Sequence, residues 1–234
     1  MNNSKKLAPF SLETCLKGIV TDEWMIVLKN LATNQKFKKN DRIIEEGTPV
    51  KGFYFIISGK VKIVTSIYEG QERILRLSHT GNLMGHRAIS ASTYPVSAIA
   101  LTDVEVTFIP TDVFLKMIGQ NPNFAIYLVE FIARDLRETE ERMKSMIHND
   151  VIVRIALILC FLIDSYGYDE EVKGQLHFTL PRSDMANMAG TSYESVIRTL
   201  SKLEDMKLIR LENKKIIILK ESGLRKISKE KNRL

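Results

Sequence analysis

Three textures follow one another along the chain. Up to about Leu31 the pattern is helical, with Trp24, Ile26, Val27, Leu28 and Leu31 as its apolar positions. From Phe37 to Ile109 it changes to short runs rich in Val, Ile, Phe and Thr, divided by Gly47, Gly52, Gly81 and Gly85. The stretch GFYFIISGKVKIVTSIYEGQERILRL is the clearest of these, with turn signals at Ser58-Gly59 and Glu69-Gly70. Short strands with frequent turns predict a small sandwich or barrel. From Thr111 the texture is helical again.

Asn121-Pro122 marks the start of a long helix. Leu128, Ile132, Leu136, Thr139, Met143 and Met146 recur along it at steps of four, four, three, four and three. That is close to a heptad seam, and its flanks (RDLRETEERMK) are charged. The spacing predicts a homodimer seam of Leu128, Ile132, Leu136, Met143 and Met146. The other reading of the same stripe is a helix lying on its own domain. VIVRIALILCFLIDSYG then reads as a strongly apolar helix, and LIRLENKKIIIL as a strand, a turn at Asn213 and a second strand. The end of the chain, KISKEKNRL, reads by itself as a solvated basic tail.

Between these lies MANMAGTSYESVIRTL, two helical patterns joined at a glycine. With Arg182 as its first position, Ala186 is the small residue where two helices pack and Gly190 relieves the turn. Met185, Ala189, Val196 and Leu200 supply contacts between the helices, and Ser192 is placed to cap the second. Val196, Leu200 and Leu203 form its buried stripe. Tyr193, Glu194, Ile197 and Arg198 share the opposite face near its N-terminal end, the end that a recognition helix puts into the major groove. Arginine reads guanine bidentately and glutamate accepts from the cytosine amine. Arg182, Thr191, Ser192 and Ser195 are candidate phosphate contacts. With the hairpin after it, the pattern predicts a winged helix-turn-helix rather than an ordinary helical hairpin.

Charge supports that reading. The 234 residues carry a formal net charge of +6, and from Arg182 onward there are 13 basic and 7 acidic residues, so the excess is all there. A neutral body with a basic end points to a polyanion partner. The two cysteines, Cys15 and Cys160, stand far apart, as expected of a reducing cytoplasm without disulfides. No apolar run reaches the length of a membrane span, and MNNSKKLAPF has no apolar signal core, so a cytoplasmic location is expected. His79, His86, His148 and His177 have no metal-ligand spacing, and no phosphate-binding glycine loop is present, so nothing points to an enzyme.

From Phe37 to Ile218 the chain resembles the cyclic-AMP receptor/FNR (CRP/FNR) family of bacterial transcription regulators. The likeness is carried by FYFIISGKVKI, EGQERIL, TGNLMG, the long helix and GTSYESVIRTLSKLEDMKLI. It implies an α+β chain with an N-terminal cyclic-nucleotide-binding-like β-roll (1–120), a dimerisation helix (121–148) and a C-terminal winged helix-turn-helix (149–234). It further implies a homodimer on palindromic double-stranded DNA, with RNA polymerase as a second partner if the protein activates. The family's base-reading Glu and Arg fall on Glu194 and Arg198.

The sensor part departs from the cyclic-AMP pattern. Family members that bind cyclic AMP hold its ribose with a Glu after the second glycine of the TGNLMG motif and its phosphate with an Arg some ten residues on. Here those positions hold His86 and Val96. The resemblance places an effector pocket among Arg73, Gly85, His86, Arg87, Val96, Ser97, Thr139 and Glu140, and an apolar Val96 offsets no phosphate charge. The effector is therefore unidentified and not cyclic AMP bound in the usual way. One N-terminal cysteine excludes the four-cysteine iron–sulfur cluster of the oxygen-sensing branch. Haem on His79 or His86 is a lesser reading. The rival function is a metabolite- or haem-binding sensor whose C-terminal domain is an interaction module.

Overall fold

The computed structural model describes residues 11–67 and 72–229. The chain divides into two compact units, Met1–Leu136 and Arg137–Leu234. In the first, α1 (Leu12–Leu16) and α2 (Asp22–Leu31) begin at Ser11 and Thr21, whose hydroxyls accept from the Thr14 and Trp24 amides. The apolar positions of α2 are not all core. Leu28 is buried, but Ile26 and Leu31 are exposed.

Among the described residues eight strands follow: β1 (Thr33–Phe37), β2 (Arg42–Ile44), β3 (Gly52–Ser58), β4 (Lys60–Ser66), β5 (Glu72–His79), β6 (Leu83–Met84), β7 (Ser97–Ala100) and β8 (Val104–Pro110). They pair antiparallel in two four-stranded sheets, β1-β8-β3-β6 and β2-β7-β4-β5. Tyr54, Ile56, Met84 and Val106 of the first sheet meet Ile44, Val61, Ile63 and Ala98 of the second in one core. The turn expected at Ser58-Gly59 joins β3 to β4, whereas that at Glu69-Gly70 lies outside the described residues.

The run GFYFII does not alternate, because β3 is covered on both faces. Tyr54 and Ile56 enter the inter-sheet core. Phe53 and Phe55 join a second cluster with Leu16, Leu28, Phe114, Phe124, Leu128 and Phe131. That cluster packs helices onto the outer face of the first sheet, including α3 (Thr111–Gln120) and the N-terminal half of α4 (Pro122–His148).

The helix α4 carries two stripes where the spacing suggested one. Phe124, Leu128, Phe131 and Asp135 are buried, at steps of four, three and four. Val129, Ile132, Leu136, Met143 and Ile147 are exposed, about 100° around the helix axis. This corrects the expected seam at its ends. Leu128 is 5% exposed and belongs to the core of the first unit, Met146 keeps intermediate exposure, and Val129 and Ile147 join the exposed stripe.

The second unit contains α5 (Val151–Tyr166), α6 (Arg182–Ala189), α7 (Tyr193–Asp205), the hairpin β9 (Ile209–Glu212) and β10 (Lys215–Ile218), and α8 (Glu221–Ser228). The expected turn is present, with Asn213 at φ 55° between Glu212 and Lys215. The α8 helix takes in the first three residues of KISKEKNRL, Lys226 to Ser228, and the stretch after Lys229 lies outside the described residues. Leu224 and Ile227 are buried, and Arg225 donates to Asp164 of α5 at 2.6 Å. An amphipathic turn this short gains its helix from packing, which the lysine-rich composition hides.

Candidate nucleic-acid interface and sensor cleft

The two helices α6 and α7 meet as the glycine pattern predicts. Gly190 is left-handed at φ 59°, and its amide closes α6 onto Ala186 and Asn187 carbonyls. Met185, Ala186, Met188 and Ala189 are buried beside Val196, Leu200 and Leu203 of α7. The Ser192 hydroxyl caps α7 by accepting from the Ser195 amide at 3.2 Å.

That leaves one face of the first α7 turns in solvent. Tyr193 is 51% and Ile197 39% exposed, and Glu194 and Arg198 are exposed beside them. Backbone amide bonding at the helix start, the Ser192 hydroxyl and the nearby Arg198 charge hold the Glu194 carboxyl below its usual range. It is therefore an ionised acceptor at neutral pH. Arg198 rests one donor, Nη2, on Ser195 Oγ at 3.2 Å. Ser192 and Ser195, read as phosphate contacts, are thus also parts of the local capping network. Arg182 is half-buried at the start of α6, and Thr191 is half-buried in the turn. The sequence reading named no wing residue. Arg210, Lys214 and Lys215 are exposed on the hairpin, and Glu204 of α7 accepts from the Leu211 amide at 2.7 Å, tying the wing to the helix.

In the first unit a narrow cleft is lined by Ile44, Ile63, Arg76, Met84, Gly85, His86, Arg87, Tyr94, Pro95, Val96 and Ala98. The centre of a water molecule can move through only about 10 Å³ of it, close to the space of one water. Gly85, at φ 89°, turns the chain into the short 3-10 helix His86–Ala88. This places His86 and Arg87 beside Asp135 of α4.

The Asp135 side chain is 7% exposed. Arg87 donates to its Oδ2 from Nε at 3.1 Å and Nη2 at 2.8 Å, and His86 Nε2 lies 3.3 Å from the same oxygen. Arg76, buried on β5, pairs with Oδ1 at 3.3 Å from Nε. A carboxylate only accepts, so the His86 proton sits on Nε2. Burial favours the neutral acid, but the His86 hydrogen bond and the Arg76 and Arg87 charges outweigh it and hold Asp135 far below the usual carboxylate range. Burial chiefly lowers the His86 pKa, aided by the two arginines against the pull of Asp135. The Phe131 ring meets the His86 ring edge-on at 4.9 Å between centroids.

Residues 34–121 match the cyclic nucleotide-binding domain family, and residues 153–227 match the Crp-like helix-turn-helix domain family. The chain belongs to the CRP/FNR family. A CRP-like cAMP-activated global transcriptional regulator of Mycobacterium tuberculosis is 29% identical over 183 residues, 78% of this chain and 82% of that protein. The transcriptional activator protein anr of Pseudomonas aeruginosa is 26% identical over 88% of this chain and 84% of its own length. The structure of FixK2 from Bradyrhizobium japonicum superposes with a TM-score of 0.76 at 21% identity, covering 86% of this chain and 98% of that one. A CRP/FNR-family transcriptional regulator from Thermus thermophilus gives 0.73 at 24% identity, covering 86% of this chain and all of the other.

Within this CRP/FNR chain the sensor positions separate. Gly85, His86, Arg87 and Val96 line the cleft, and Arg73 and Ser97 do not. Ser97 is a buried framework residue, its Oγ accepting from the Glu46 amide at 2.9 Å. Thr139 and Glu140 lie in the second unit, where Thr139 Oγ1 takes a hydrogen bond from Arg142. Of the two haem candidates, His86 has its Nε2 engaged by Asp135, and His79 has its Nδ1 2.9 Å from the Thr80 carbonyl. The sequence reading missed Arg76 and Asp135. Their signals were an arginine in the apolar run ILRLSH and an aspartate in heptad step with Phe124, Leu128 and Phe131.

Proposed function

We propose that this CRP/FNR-type transcription regulator works as a homodimer that reads a palindromic operator with α7. The observation that carries the reading is the exposed N-terminal face of α7, where Tyr193, Glu194, Ile197 and Arg198 stand opposite a fully buried stripe. Arg198 and ionised Glu194 supply the donor and acceptor that major-groove reading needs. Thr191, Ser192, Ser195 and Arg182, with Lys214 and Lys215 of the wing, supply phosphate contacts that set register. The exposed stripe Val129, Ile132, Leu136, Met143 and Ile147 pairs two copies, because a helix with an apolar heptad face gains stability by burying it against its twin.

The sensor does not take cyclic AMP in the usual manner. Val96 offers no cation, and the cleft holds about one water. Selection of the purified full chain on random duplex DNA, without added ligand, tests the DNA reading. The expected result is an enriched palindrome with half-sites about 34 Å apart, one helical turn. Binding that treats all sequences alike would overturn it.

A further inference from the structure

In the first unit, the cations of the sensor cleft are already engaged by a carboxylate of the chain itself. Arg87 places two donors on Asp135 Oδ2, His86 adds a third, and Arg76 pairs with Oδ1. The four residues come from β5, the 3-10 turn at Gly85 and α4, so the cluster is a tertiary assembly rather than a local ion pair. Its members are deeply placed. Asp135, Arg76 and His86 have side chains 7%, 8% and 4% exposed, and Arg87, at 28%, closes the open side. His86, Arg76 and Arg87 also line the cleft, which has space for about one water, whereas Asp135 meets them from outside its lining.

We propose that Arg76, Arg87 and His86 form a binding site for a small oxyanion, and that Asp135 is its resident occupant, a tethered ligand in place of a free one. A forked guanidinium and a second buried arginine around one carboxylate are the donor set that binds phosphate or carboxylate groups generally. Because the occupant belongs to α4, filling this site holds the N-terminal half of that helix against the β-roll with no effector present. An external anion enters only as Asp135 leaves. The inference rests on the first unit being the sensor, but its test reads anion binding and not DNA, so either can fail alone.

The test follows thermal unfolding of the full chain in phosphate and in chloride of matched ionic strength, with cyclic AMP as a separate arm. The variants are D135A, D135N and D135A/R87Q. Wild type is expected to show no phosphate-specific rise in melting temperature. D135A, its carboxylate removed and its site opened, is expected to rise with phosphate at least tenfold more steeply in concentration than wild type. D135A/R87Q loses that response, and D135N, which keeps the side-chain volume, shows less of it. Cyclic AMP is expected to leave every melting temperature unchanged, because Val96 stands where a cyclic phosphate would need a cation. If D135A is unfolded in chloride, recovery of its fold in phosphate is the same positive result. An equal phosphate response in wild type and D135A overturns the proposal, as does no response in D135A. A response to cyclic AMP without one to phosphate also overturns it.

Discussion

Arg87 holds Asp135 by two donors on a single oxygen, Nε at 3.1 Å and Nη2 at 2.8 Å from Oδ2. The other carboxylate oxygen faces Arg76 at 3.3 Å. The charge of Asp135 is thus neutralised inside the first unit by residues about 50 to 60 positions earlier in the chain. Removing one partner of such a buried cluster leaves the rest desolvated and unpaired. Asp135→Ala is expected to cost about 3–5 kcal/mol of unfolding free energy in urea titration. A loss below about 1 kcal/mol would mean that the pairs contribute no more than surface ion pairs do.

The same cluster sets an acid limit. Burial is the main reason the pKa of His86 is lowered, so the fold prefers the neutral ring. A base with a lowered folded pKa contributes stability above its unfolded value, near 6.5, and loses it as pH falls toward the folded value. Asp135 on α4 attracts the imidazolium, whereas Arg76 on β5 and neighbouring Arg87 repel it, and burial decides the sign. Asp135, also lowered, keeps its charge through this window and loses its contribution only in much stronger acid. The melting temperature of wild type should fall between about pH 7 and pH 5 more than that of His86→Gln. Parallel curves would remove His86 as the cause.

The two stripes of α4 separate association from folding. Leu136→Lys, on the exposed stripe at 57% accessibility, should shift the protein toward monomer in analytical ultracentrifugation with little loss of fold. Leu128→Ala, at 5%, should destabilise the sensor unit by about 2–5 kcal/mol through the cavity it leaves, with the oligomeric state kept. The reverse pattern would assign the stripes wrongly.

On α7, Arg198→Ala should cost about 1–3 kcal/mol at one base pair of the operator and relax the preference there. Lys214→Ala on the wing should weaken binding alike on all sequences and make the salt dependence shallower by about one phosphate. Competition binding on single-base operator variants at two salt concentrations separates the outcomes. Equal weakening everywhere by Arg198→Ala would reduce it to a phosphate contact.

Ser192→Ala tests the capping geometry. Loss of the bond to the Ser195 amide should cost about 1 kcal/mol of stability in the second unit. Ser192→Asp, which keeps an acceptor and favours the helix N-terminus, should restore it. Equal stability of all three forms in urea titration would show that the cap contributes nothing.

Local signals carry far along this chain. Glycine at position 190, serine at 192 and the step of Val196, Leu200 and Leu203 set the helix-turn-helix by backbone freedom, capping and periodicity, all short in range. The textures between Phe37 and Ile109, and Asn121-Pro122 before α4, likewise announce strands and a helix start. What sequence alone left open depended on which surface covered which. A heptad step on α4 reads the same whether it meets its own sheet or another helix, and only packing showed Leu128 inside and Val129 outside. Lysines hid the burial of Leu224 and Ile227 in α8. Asp135 looked like one more charge in RDLRETEERMK, because its heptad step with Phe124, Leu128 and Phe131 marks a face of the helix but names none of the cations that meet it there. Its partners are brought to it by the fold, which makes an ordinary aspartate the centre of a buried ion cluster.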